Sequence, residues 1–181
     1  MLAPAVMLGG WVVTAQATVI GQEHYTASFS DQFVDCGITF HEQFDVNGTA
    51  HFRVGKGGLE SAFFSHDKFR FLSTATNLAN ARFYTIEGNF VFNETKARRI
   101  EGNVSEFDSV QAGRWTLSDD NGSIVLHDRG VIRSTILFDT LGDGVPGGEF
   151  IDFISEDVRG PHPGFNIPEE EFCVLLDELV G

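Results

Sequence analysis

The chain has 181 residues and a formal charge of −14, with 12 Lys and Arg against 26 Asp and Glu. That length suits one domain with a real core, and the acidic balance excludes nucleic acid and anionic membrane surfaces as partners, because both need clustered cations. Eighteen Phe and 20 Gly point towards β structure.

The first stretch, MLAPAVMLGGWVVTAQA, is uncharged and apolar and ends Ala15-Gln16-Ala17, the small-x-small form that signal peptidase cleaves. It predicts an export signal over residues 1–17, a mature domain over 18–181, and a secreted or cell-envelope location. No other segment is apolar enough to cross a membrane. Cys36 and Cys173 are the two cysteines, and in an exported chain an even pair predicts a disulfide.

From Phe33 to Val158 short β-like segments alternate with Gly, Asn and Asp. GITFHEQFDVNGTAHFRVG predicts a hairpin turning at Asn47-Gly48. With Val46 facing Gly48, the residues Phe40, Phe44, Val46, Ala50, Phe52 and Val54 share one apolar face. His41, Gln43, Asp45, His51 and Arg53 then lie on the other. Glu42 alone interrupts the apolar face. A charge there is costly unless paired, which makes Glu42 the candidate catalytic acid. HEQFD at His41–Asp45 lacks the second His of a zinc-protease motif and alternates like a strand.

A strand is predicted over Phe63–Leu72. The word Ile-Glu-Gly-Asn then occurs twice, at Ile86–Asn89 and Ile100–Asn103. Tyr84, Ile86, Phe90 and Phe92 share one phase, and joining them to Ile100 and Val104 through NETKA predicts a hairpin in which Gly88 faces Gly102. The repeat is then an architectural pair of Glu–Asn contacts rather than a catalytic site. Further strands are predicted at Arg114–Leu117, Ser123–His127, Val131–Asp139 and Glu149–Ile154, with turns at SDDNGS and LGDGVPGG. The total is about eight to ten antiparallel strands, predicted to close into a β-barrel that removes exposed edges, with a sandwich as the alternative.

Asp139, Asp143, Glu149 and Asp152 gather around the LGDGVPGG loop as weak calcium candidates, although their spacing fits no EF-hand. GPHPGF sets His162 between two prolines in a rigid connector. The chain closes with NIPEEEFCVLLDELVG, a predicted helix over about 168–180. Pro168 stands at its first position, three glutamates fill its first turn, and Phe172, Leu175, Leu176 and Leu179 form one apolar stripe. Asn-x-Ser/Thr sites fall at Asn47, Asn93, Asn103 and Asn121.

FVDCGI, VGKGG, HDRG, FDTLGDGVPGG, GPHPGF and the terminal FC helix together resemble a family of exported actinobacterial proteins, a resemblance that covers nearly all of the mature chain and implies no activity. Much more loosely, the architecture is similar to allene oxide cyclase and dirigent-type barrels, which hold apolar substrates in a lumen. No motif of theirs maps onto this sequence residue by residue, so the likeness is one of fold alone.

These observations lead to an exported barrel that binds a small apolar or aromatic molecule, without a cofactor, in an interior lined by Phe40, Phe44, Phe52, Tyr84, Phe90 and Phe92. Two alternatives stand beside it. One is a cofactor-independent cyclase or isomerase using Glu42. The other is an acidic envelope protein that makes protein contacts and holds no ligand.

Overall fold

The computed structural model describes residues 18–55, 63–144 and 148–181, so the expected export signal at 1–17 lies outside the described residues. Seven strands follow in chain order: β1 Thr18–Asp35, β2 Ile38–Val54, β3 Phe63–Asn77, β4 Phe83–Glu101, β5 Val104–Ser118, β6 Ile124–Asp139 and β7 Glu149–Arg159. A short helix α1, Pro163–Asn166, and a longer one, α2 Glu169–Val180, complete the chain. Each strand pairs antiparallel with its sequence neighbours, giving one sheet in the order β1 to β7. The sheet is not closed into a barrel, and β1 and β7 form its two edges.

Seven strands stand where eight to ten are expected, because two long strands read in sequence as hairpins. Asn47-Gly48 is not a turn. It lies within β2, where Asn47 faces Thr26 and Arg70, and Gly48 faces Tyr25 and Phe69. The chain reverses instead at Cys36-Gly37, whose φ angles of 48° and 77° are both left-handed. Asp35 therefore faces Ile38, the geometry of a two-residue hairpin turn. Gly48 serves close packing: a Cβ there would stand 2.5 Å from Tyr25 Cζ and 2.8 Å from the Lys68 carbonyl oxygen.

The NETKA segment is not a turn either. β4 runs through it, and its irregularity is a bulge between Glu94 and Lys96. Reversal comes at Gly102-Asn103, so Glu101 faces Val104. The first Ile-Glu-Gly-Asn therefore sits mid-strand and the second runs into the turn. Gly88 faces Trp115 rather than Gly102, and Glu87 and Asn89 face Thr116 and Arg114. Likewise Ser123–His127 and Val131–Asp139 belong to one strand, β6.

The face expected for β2 is observed. Even positions from Phe40 to Val54 are the more buried, and odd ones from His41 to Asp45 are exposed. At one end of this face α2 covers the core, where Leu176, Leu179 and Val180 pack on Phe40, Ala75, Tyr84 and Leu117. Pro168 caps α2 one residue before the expected start, because its ψ of 148° is extended. The far end of α2 docks on the β3–β4 turn, with the Asn77 and Asn80 amides each donating to the Val180 carbonyl at 2.8 Å. The Cys36 and Cys173 sulfurs lie at disulfide distance, 2.04 Å apart, fastening α2 to the β1–β2 turn. No helix among the described residues is long and apolar enough to cross a membrane.

Candidate functional site

The six aromatic residues expected to line a cavity do share a face, but they divide into four settings. Phe40 and Tyr84 are core residues beneath α2, their rings edge-on at 5.5 Å. Burial, followed by the nearby charges of Asp35 and Glu42, pushes the Tyr84 hydroxyl up to about 12, so it stays protonated. Phe44 and Phe90 belong to a run of rings crossing four strands. Phe29 stacks on Phe44 at 4.8 Å, Phe44 on Phe71 at 5.5 Å, and Phe71 on Phe90 at 6.0 Å. Phe92 lies between Asp67 and Gln111 on the neighbouring strands.

Phe52 lines a pocket at the opposite end of the sheet from α2. Glu42 points to the expected face, where it accepts a hydrogen bond from the buried Ser73 hydroxyl. It faces Asp31 and Ala75 on the neighbouring strands and is not among the residues that line the Phe52 pocket.

That pocket has a volume of about 210 Å³ and is lined by five phenylalanines, Phe52, Phe63, Phe64, Phe107 and Phe138, with Ser65, Thr140 and Glu94. Phe64 meets Phe107 edge-on at 6.2 Å, and Phe107 meets Phe138 at 6.1 Å. The Arg53 guanidinium lies 5.7 Å from the centre of the Phe64 ring. Arg53 also donates to the Asn93 side chain at 3.1 Å and to the Glu94 carbonyl at 2.8 Å, fixing the backbone at the bulge.

Among the described residues, Glu94 is the pocket's ionisable group. Burial pushes its carboxyl above the ordinary carboxylate range, against the opposing pull of the Ser65 hydrogen bonds and the Arg53 charge. The Ser65 N–H donates to Glu94 Oε2 at 2.6 Å. An acid of this kind can hold its proton and donate to a bound molecule, or supply that proton as a general acid. Glu94 was not among the expected site residues, because NETKA read as a turn. A signal was present, since Phe90, Phe92 and Glu94 continue one period-two series.

The calcium candidates are spread along the β6–β7 pair. Asp139 faces Glu149, and Asp152 faces Leu137. Asp139 and Asp152 accept backbone N–H groups from Leu141 and Phe153, each at 2.8 Å. Among the described residues no three His, Cys, Asp or Glu side chains group closely enough to hold a metal ion. His162 pairs through Nδ1 with Asp128 Oδ1 at 2.7 Å, and the other carboxylate oxygen accepts the Gly164 N–H at 3.0 Å. Both residues are buried, at 4% and 1% exposure. The imidazole covers Gly130, where a Cβ would stand 2.1 Å from Nε2. The pair thus latches the proline connector to β6. Comparison with protein-family models, with curated proteins and with solved structures finds no match.

Proposed function

We propose that this is an exported protein whose curved sheet acts as an open barrel, binding a small apolar or aromatic molecule in the pocket formed by Phe52, Phe63, Phe64, Phe107 and Phe138. The observation that carries the reading is Glu94, a half-buried carboxyl group that lines a pocket walled mainly by phenylalanines. Burying an acid beside phenyl rings is costly, and the Ser65 N–H occupies only Oε2, so the carboxyl keeps capacity to address a bound molecule. The volume of about 210 Å³ suits one aromatic ring with a polar substituent, since cavities near 150 Å³ hold benzene. The Cys36–Cys173 pair is compatible with an oxidising location.

Mid-strand glycines support the curvature. Tyr25 covers Gly48, Phe71 covers Gly88 and Phe90 covers Gly113, the positions at which a sheet bends readily. In the second reading Glu94 is the general acid of a cofactor-independent isomerase or cyclase. Its raised pKa and its place in the pocket lining support that role.

Titration with phenol and toluene, followed by aromatic and methyl NMR shifts, tests the binding. Saturable shifts confined to the Phe-lined pocket are expected for both probes. Glu94→Gln should weaken phenol more than toluene, and Phe138→Trp, which fills the space, should abolish both. Absence of saturable shifts in the wild type would leave the five rings as ordinary packing.

A further inference from the structure

On the face opposite the core, five successive pairings align one row of side chains across the sheet. Thr26 faces Asn47, Asn47 faces Arg70, Arg70 faces Asn89, Asn89 faces Arg114, and Arg114 faces Arg129. Arg70, Asn89 and Arg114 form the crest between two grooves of about 800 and 360 Å³. Lys68 stands on the far wall of the larger groove, which no Asp or Glu among the described residues lines. Among the described residues, Glu87 is the single carboxylate lining the smaller one. This cationic strip sits on a chain of net charge −14.

Elsewhere among the described residues Arg82, Lys96, Arg98 and Arg159 have carboxylate partners and Arg53 is held by hydrogen bonds, while Arg99 and Arg133 have neither. Among the described residues, the side chains of Lys68, Arg70, Arg114 and Arg129 make no ion pair and no hydrogen bond. Arg114 and Arg129 also face each other directly, an arrangement that repels unless an anion lies between them.

We propose that this crest binds a small polyanion carrying two or more phosphate or sulfate groups. Arg70 and Arg114 are two strand spacings apart, about 10 Å, with Arg129 about 5 Å further on. That span exceeds one phosphate and fits a short chain of oxyanions. Guanidinium forks grip such oxygens in pairs, and the Asn47 and Asn89 amides add neutral donors along the same line. The acidic surface beyond the crest repels a long polyanion, so nucleic acid does not fit.

Calorimetry at low salt with tripolyphosphate, sucrose octasulfate, inorganic phosphate and a DNA duplex tests the site. At least one of the first two should bind, at least tenfold tighter than phosphate, and the duplex should not. Preference between those two tells an oligophosphate from a sulfated sugar. The double variant Arg70→Gln/Arg114→Gln should weaken binding at least tenfold, and Glu87→Gln should tighten it. Arg98→Gln, a pair remote from the crest, should change nothing. Circular dichroism checks that each variant is folded, and Arg129→Gln serves if the double variant is not. No binding by either polyanion, or equal loss in the Arg98 variant, overturns the proposal, as does preferential binding of the duplex.

Discussion

Burial holds the Glu94 carboxyl above its ordinary range, so the folded protein binds this proton more tightly than the unfolded chain does. Glu94 therefore contributes stability below the ordinary carboxylate pKa. That contribution is lost as pH rises through the raised folded value. Urea unfolding of the wild type and Glu94→Gln between pH 4 and 8 should show the wild type losing stability relative to the variant as pH rises. Parallel curves would mean that the carboxyl group is not perturbed. The same scale explains why Gly113 cannot change: a Cβ would stand 2.3 Å from the Asn89 carbonyl oxygen and 2.4 Å from Phe90 Cδ1. Gly113→Ala should cost about 1–3 kcal/mol or more by overpacking. Gly122 has φ at 81° in open space, so Gly122→Ala should cost only about 1 kcal/mol of backbone strain. Thermal melts of the two variants separate these causes.

Strands and helix were legible to different depths. The even phase of β2 follows from alternation alone, and the apolar stripe of α2 follows from its 3.6-residue period. Leu176, fully buried on that stripe, should cost about 2–5 kcal/mol when replaced by Ala, measurable by denaturant unfolding. Turn chemistry misled at Asn47-Gly48, because a glycine kept small by Tyr25 looks identical in sequence to a glycine kept flexible for a turn. The true reversal at Cys36-Gly37 carries a weaker signal, since cysteine is no favoured residue at positive φ. Glu94 was hidden by the same confusion between a bulge and a turn. The crest of Arg70, Arg114 and Arg129 could not be read at all. It depends on the registers of successive hairpins, and a slip of one residue in any of them moves a whole strand's side chains to the other face.

As a whole the molecule leaves long edges open. Every residue of β7 is exposed, including Phe150 and Phe153, the latter at 59%, and Phe29 on β1 is 55% exposed. Such edges template association, and the charge of −14 opposes it. Light scattering should therefore find less association at pH 7 and low salt than near the sequence pI of about 4.6, where the repulsion is lost. Phe153→Lys should reduce the association, and an unchanged association in that variant would show that β7 is not its seat. The Cys36–Cys173 link has a mechanical consequence as well. It closes a span of 137 residues, so a force applied to the two chain ends passes through β1, crosses the sulfur bridge and leaves along the last turns of α2. Strands β2 to β7 lie outside that covalent path, and β2 feels the force only through its hydrogen bonds to β1. Held in optical tweezers, the oxidised protein should extend without releasing them. Adding reductant should free an additional contour length of roughly 480 Å, at about 3.5 Å per residue.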